Sequence, residues 1–233
     1  MCDLNNIAIP FQHPFMLTIC GPSQCGKTFW IYNLLLHLDE MIVPTIVKIV
    51  YLYTTYQPLY DKIKELIQQK NISEKKISIE FIDCNNKGIP RAGDIQPNLS
   101  DNTLVILDDL MTVASSSKEN TINLDNFASR DSHHSNISII FTCQNLCYGN
   151  GKLRNTRMNS QYTLLFKNIG DRRNMYMIAD NKGVKQNKFN EVISDIEQSK
   201  YGYLLFGNCT TSYENARVRT NVFPDDKTVI YDI

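Results

Sequence analysis

The chain has 233 residues, with 24 basic and 24 acidic side chains, a formal net charge of zero and 42% hydrophobic residues. That length fits one α/β domain whose core needs no disulfides, and a neutral balance does not announce a nucleic-acid binder. No apolar run reaches the roughly 18 residues of a membrane span, no basic-then-apolar leader opens the chain, and seven cysteines without a C-x-x-C pair point to a reducing, intracellular compartment.

Residues 15–20 (FMLTIC) are an apolar run of strand length, and residues 29–38 (FWIYNLLLHL) repeat apolar side chains at helical spacing. Between them stands Gly-Pro-Ser-Gln-Cys-Gly-Lys-Thr, residues 21–28, which fits the pattern G-x-x-x-x-G-K-[ST] at every fixed position. Strand, glycine loop and helix are the setting this phosphate-cradling motif requires. Gly21 and Gly26 allow backbone conformations that a Cβ forbids. Pro22, Ser23, Gln24 and Cys25 fill the variable positions, and Phe29 follows as the first apolar residue of the helix. The loop turns its N–H groups toward phosphates at the positive end of that helix. Lys27 brings a point charge to the β- and γ-phosphates, and Thr28 a hydroxyl to Mg²⁺. The pattern names a ligand, a nucleoside triphosphate with magnesium; its plain alternative is a glycine turn that ends in Lys-Thr. Oxidation of Cys25, inside the loop, would inhibit binding.

Residues 46–53 (IVKIVYLY) read as a second strand, residues 59–70 as an amphipathic helix and residues 77–82 (ISIEFI) as a third strand. Tyr53, Tyr56 and Tyr60 either pack a strand-to-helix corner or touch a base, and packing is the reading favoured here. Residues 83–102 carry Gly, Pro, Asn and Asp and read as a surface loop or short helix. Residues 104–109 (LVILDD) place four apolar residues, suited to a strand buried on both faces, before two carboxylates. Those carboxylates fall at the strand's carboxyl end, where ligands bind in open α/β sheets. As a Walker B element, Asp108 holds magnesium, directly or through water, and Asp109 polarises the attacking water. A solvated Asp-Asp turn is the alternative.

Residues 111–119 are Ser-rich and read as a mobile segment, and residues 121–132 as a helix. His133 and His134 then precede a strand at 137–143 (ISIIFTC), followed at once by Gln144 and Asn145. Gln144 is placed to bridge the γ-phosphate and the lytic water. Cys143 and Cys147, with the two histidines, lack a paired zinc knuckle. Between residues 151 and 190 nine bases stand against two acids, enough to contact the phosphates of DNA or of a neighbour's nucleotide. That stretch also holds a strand at 162–167 (YTLLFK) and helices at 171–180 and 189–198; a late strand follows at 203–206. The alternation implies a mostly parallel sheet with helices on both faces. The organisation is one phosphate-loop ATPase domain over 1–233, with an N-terminal arm (1–14) and a C-terminal extension (208–233). A strand between the phosphate loop and Walker B suggests the type in which the two motif strands are not adjacent, the ASCE or RecA-like arrangement.

With these residues in place, the chain resembles the viral genome-packaging ATPases of the FtsK/HerA superfamily, most of all the poxvirus-type branch and its relatives in Polinton/Maverick elements, virophages and adintoviruses. The strings that carry the likeness are GPSQCGKT, YLYTTYQPLYD, LVILDDLM, HHSNISIIFTCQNL, NSQYTLLFKN and ARVRTNVFP, and they span nearly the whole chain. The resemblance implies an ATP-driven motor, with Mg²⁺, that moves double-stranded DNA into a preformed capsid inside a host cell. Such motors are homo-oligomeric rings, usually hexamers, in which a neighbour's arginine completes each site. Arg154, which aligns with an arginine before the family's Asn-Ser-x-Tyr string, is the first candidate; Arg157 is second and Arg130 third. Lys27, Asp109, Gln144 and Arg154 would then form the catalytic set, with capsid proteins and DNA as partners and no membrane. Three other readings stand beside this one: a small-molecule phosphotransferase such as a nucleoside kinase, a nucleotide-gated assembly protein with negligible turnover, and a helicase built on the same core.

Overall fold

The computed structural model describes residues 2–3, 9–73, 76–95, 101–120, 136–144, 159–168, 170, 172–181, 183–207 and 216–232. Its centre is a run of short apolar strands that can each bury both faces. In chain order the strands are β1 (Cys2–Asp3), β2 (Phe11–Gln12), β3 (Met16–Cys20), β4 (Ile42–Val43), β5 (Lys48–Tyr53), β6 (Ser78–Asp83), β7 (Thr103–Asp108), β8 (Ile137–Cys143), β9 (Tyr162–Phe166), β10 (Tyr203–Gly207), β11 (Val218–Thr220) and β12 (Val229–Tyr231). The helices are α1 (Lys27–Leu36), α2 (Leu38–Met41), α3 (Leu59–Ser73), α4 (Cys84–Lys87), α5 (Ala92–Ile95), α6 (Met111–Ser116), α7 (Arg172–Asn181) and α8 (Gln186–Gln198).

Ten strands form one sheet in the order β1-β12-β11-β10-β9-β3-β8-β7-β5-β6. From β9 to β6 every pairing is parallel, and from β9 to β1 every pairing is antiparallel. The phosphate-loop strand β3 and the Asp-bearing strand β7 are separated by β8, so the two motif strands are not neighbours, as the chain's spacing suggests. The inserted strand is the one that Gln144 directly follows. Side chains alternate across the sheet with period two. Leu17, Ile19, Leu104 and Ile106 face Trp30, Ile31 and Leu34 of α1 and Ile63 and Ile67 of α3. Met16, Val105, Leu107, Ile139 and Phe141 face Met175 and Ile178 of α7 and Phe189 and Ile193 of α8. Helices thus cover both faces, and the buried runs read as continuous apolar strings because both sides of each strand are covered.

Three features go beyond the sequence reading. Helix α6 occupies the start of the Ser-rich stretch after Asp109, and Asn120 closes the turn by accepting at its Oδ1 from Ile89 N (3.2 Å) and donating from Nδ2 to Val113 O (3.2 Å). The antiparallel edge β10–β11–β12–β1 was not legible, since its strands of two or three residues are too short to show alternation. A two-stranded parallel sheet, β2 with β4, also went unseen for the same reason. The expected helix at 121–132 lies outside the described residues.

Candidate nucleotide site

Parallel register brings the carboxyl ends of four strands level. Cys20 pairs with Cys143, and Asp108 pairs with Tyr53. Gly21 follows β3 directly, and its N–H donates to Cys143 O at 3.2 Å, which ties the start of the loop to β8. A Cβ at Gly21 would stand 2.6 Å from Cys25 Sγ and 2.7 Å from Phe166 Cβ, so close approach is what this glycine provides. Gly26 has φ 108° and caps α1 in the left-handed region, where a side chain is strained. Lys27, the first helical residue, turns back over the loop: Nζ donates to Gly21 O at 2.8 Å and Pro22 O at 2.9 Å. The ammonium therefore already sits inside the curve of the loop.

Thr28 Oγ1 points across to β7 and donates to Asp108 Oδ2 at 3.4 Å. Asp108 is almost fully buried, at 3% exposure. A carboxylate in that position needs several donors to be tolerable, and it has them. Tyr51 Oη donates to Oδ2 at 2.7 Å and Tyr60 Oη at 3.0 Å, while Thr142 Oγ1 donates to Oδ1 at 2.8 Å. Burial, and then the charge of Asp108, push the phenol pKa of both tyrosines up, so both hydroxyls stay protonated donors. Asp109 breaks from the strand with φ 54°; aspartate is among the few residues that accept this conformation. Its N–H donates to Thr142 Oγ1 at 2.9 Å, and its Oδ2 accepts from Gln144 Nε2 at 3.4 Å. Thr142 thus holds both aspartates, accepting from the Asp109 backbone and donating to the Asp108 carboxylate. The outcome is a division of labour. Asp108 is enclosed among hydroxyls, and Asp109 is turned outward beside Gln144.

Part of this site borders one cavity of ≈ 840 Å³, lined by Ser23, Gln24, Gly26, Lys27, Thr28, Asp108 and Asp109, among others. That volume falls in the range of small-molecule sites. Oxygen-only donors at Thr28 and Asp108 suit a hard divalent ion such as Mg²⁺, and a lysine beside backbone N–H groups at a helix start suits polyphosphate. Of the residues singled out from sequence, Gly21 to Phe29, Asp108, Asp109 and Gln144 come together. Arg130, His133, His134, Asn145, Cys147, Arg154 and Arg157 lie outside the described residues.

Tyr60 takes the packing role favoured from the sequence. It packs against Tyr51, Tyr53 and Phe81 as a buried corner, with 1% exposure, so it does not meet a base or DNA. Its hydroxyl, however, reaches Asp108. Tyr51 and Thr142 were not foreseen at all. The available signal was a tyrosine and a threonine inside strands that are otherwise aliphatic. Burial pushes the Cys25 thiol pKa up, against a smaller opposing effect of Lys27, so the reactive thiolate is disfavoured. That weakens the case for oxidation of this residue as a control.

The model of the family described as poxvirus A32 protein matches residues 8–232. Among curated proteins none matches the sequence. Among solved structures, the chain is similar to the genome packaging NTPase B204 of Sulfolobus turreted icosahedral virus 2 bound to AMPPCP: 13% identity over 84% of this chain and 93% of that one, TM-score 0.51. It is also similar to the cytoplasmic domain of the type VII secretion ATPase EccC of Thermomonospora curvata: 12% identity over 84% of this chain and 24% of that one, TM-score 0.54. At these identities the likeness is one of fold, the α/β fold of the phosphate-loop NTPases.

Proposed function

The chain belongs to the poxvirus A32 protein family, and from that premise we propose that it hydrolyses ATP to drive double-stranded DNA of a viral or virus-like genome into a capsid. The observation that carries this reading is the convergence of Lys27, Thr28, Asp108 and Asp109 on one cavity, with Gln144 hydrogen-bonded to Asp109. The phosphate loop binds the triphosphate through backbone N–H groups at the start of α1, and Lys27 exchanges its two loop carbonyls for phosphate oxygens. Thr28 and Asp108 would hold Mg²⁺, which when bound neutralises charge on the phosphates. Tyr51, Tyr60 and Thr142 keep Asp108 in place. Asp109 polarises a water, and Gln144 orients it toward the γ-phosphate.

The Asp108–Asp109 pair with Gln144 beside it favours water as the acceptor over the hydroxyl of a nucleoside, and so a hydrolase over a kinase. An arginine from the next subunit of a homo-oligomeric ring, of FtsK/HerA type and hexameric by resemblance, stabilises the transferring phosphoryl group; Arg154 leads, then Arg157 and Arg130. Loops facing the ring's centre push on the DNA backbone without reading sequence. The motor works inside the host cell and transiently at the capsid. Among the described residues no helix is long and apolar enough to cross a membrane.

Steady-state ATP hydrolysis with and without long double-stranded DNA tests the reading. Turnover that rises with DNA supports it; turnover indifferent to DNA at every protein concentration removes the translocase. Mixing Arg154→Ala with Asp109→Asn protein tests the shared site. Recovered hydrolysis is expected, and none at any ratio counts against an arginine acting across subunits.

A further inference from the structure

The register that levels the strand ends also sets two thiols side by side. Cys20 and Cys143 are Cα partners at the carboxyl ends of β3 and β8. Both side chains turn to the face of the sheet that α7 and α8 cover. Neighbouring strands stand about 4.8 Å apart, inside the range of Cα separations that a disulfide spans. Both cysteines are reduced, and a hydrogen bond joins their side chains. They differ in access. Cys143 is wholly buried, whereas Cys20 is partly exposed, and its Sγ also donates to Gln144 O at 3.7 Å.

That asymmetry divides the roles of the two sulfurs. The thiolate is the nucleophile, and a neighbouring S–H that donates to it favours its formation. The first proton therefore leaves the accessible Cys20. The Cys143 pKa is pushed well up, by the hydrogen bond to Cys20 first and by burial next, so Cys143 stays the donor. The Lys27 ammonium acts on Cys143 in the opposite sense, so positive charge lies within reach of the pair. Cys25 is a third sulfur nearby, with Sγ 2.6 Å from where a Cβ would stand on Gly21. It belongs to the loop and not to a strand, and burial disfavours its thiolate.

We propose that Cys20 and Cys143 form a redox site that hydrogen peroxide converts to a disulfide, and that this bond reversibly arrests the chemistry beside it. The effect on turnover rests on the hydrolytic reading of the site; the bond itself does not. The Cys20 thiolate attacks one peroxide oxygen, so that an S–O bond forms, the O–O bond breaks and hydroxide leaves. The Cys143 sulfur gives up its proton and attacks the resulting sulfenic sulfur. The S–S bond forms, the S–O bond breaks and a second hydroxide leaves. The two thiols lose two electrons, and with their two protons the peroxide becomes two waters.

The consequence follows from what comes next in the chain. Cys20 runs into Gly21, and Cys143 into Gln144. Gly21 N donates to Cys143 O at 3.2 Å, and Gly21 has no spare room against Cys25 and Phe166. Disulfide Cβ atoms stand about 3.8 Å apart, so closure draws the two strand ends about 1 Å together. Gln144 moves with β8 and loses its position 3.4 Å from the Asp109 carboxylate. A shift of that size costs up to about 10²-fold in rate. A bond closed against the strand spacing is also more readily reduced, which makes the arrest reversible.

The test treats reduced full-length protein with excess hydrogen peroxide, blocks the remaining thiols by alkylation and maps the cysteines by mass spectrometry without reduction. A peptide pair joined through Cys20 and Cys143 is expected, and dithiothreitol should separate it. ATP turnover of the oxidised protein should fall about tenfold or more and return after dithiothreitol. Cys20→Ser and Cys143→Ala should each lose the joined peptides while keeping a near wild-type rate and unfolding temperature when reduced. Cys20→Ser should also keep its rate under peroxide. Absence of the joined peptides, or a bond from Cys20 to Cys25 in their place, overturns the redox site. Joined peptides with turnover unchanged, or equal peroxide inhibition of Cys20→Ser, overturn the arrest. Absence of turnover in reduced wild type overturns the hydrolytic reading instead, and the peptide map still decides the thiol pair.

Discussion

The two ends of β3, β7 and β8 are made by the same three strands, yet they are opposite in chemistry. At the amino end the polar groups are neutral and pair with one another. His13 meets Ser138 Oγ at 2.5 Å through Nδ1 and Asn136 Oδ1 at 3.1 Å through Nε2, Ser138 accepts from Phe15 N at 3.1 Å, and Asn136 Nδ2 donates to Asn102 Oδ1 at 2.8 Å. At the carboxyl end the groups are charged, and only Asp108 is enclosed. Lys27 is held by carbonyls that a stronger acceptor can replace, and Asp109 faces a cavity. Both ends use left-handed residues, Asn136 with φ 50° and Asp109 with φ 54°. Backbone strain alone therefore does not mark the functional end. What marks it is charge that the fold itself does not neutralise.

Substitutions at the two ends should separate binding from stability. Lys27→Ala should weaken triphosphate binding by about 100-fold, the loss of a charge-assisted contact worth ~2.7 kcal/mol, with little change in unfolding; isothermal titration beside a thermal melt reads both. Ser138→Ala, at the other end, should cost about 2 kcal/mol of stability, because His13 and the Phe15 N–H lose a shared partner, while the hydrolysis rate at 25 °C stays near wild type. Tyr60→Phe sits between these cases. Removal of one of the donors to Asp108 should cost about 1.5 kcal/mol and lower turnover as well, so that a rate equal to wild type would show the hydroxyl to be structural only.

The smallest effect is one of pH. Burial holds the His13 pKa below its ordinary value of 6.5. The folded form stays neutral while the unfolded chain takes up a proton, so stability falls as pH drops from about 6.5 toward the lowered value. The slope is at most about 1.4 kcal/mol per pH unit. His13→Gln should flatten that part of the melting-temperature profile between pH 6.5 and 5.5; an unchanged profile would place the sensitivity elsewhere.

The parallel half of the sheet was legible in the sequence, because β3, β7 and β8 are apolar runs of strand length bounded by motif residues. The residue range of β8 agrees with its reading residue for residue. The phosphate loop was legible because glycine spacing, lysine and threonine have a single joint use. The hydroxyls around Asp108 were not. Tyr51, Tyr60 and Thr142 come from three different elements: the register of β5 and β8 on β7 brings Tyr51 and Thr142 to one carboxylate, and packing of α3 against Tyr51 brings Tyr60.

The most direct measurement of the central claim is ATP hydrolysis by Asp109→Asn protein, set beside its nucleotide affinity and its unfolding temperature. The substitution keeps the shape and the left-handed turn but removes the charge that faces the cavity. Turnover is expected to fall by about 10²-fold or more, with binding and stability close to wild type. A variant that retains most of its rate would contradict the assignment of Asp109 to the attacking water, and with it the account of the carboxyl end as a hydrolytic site.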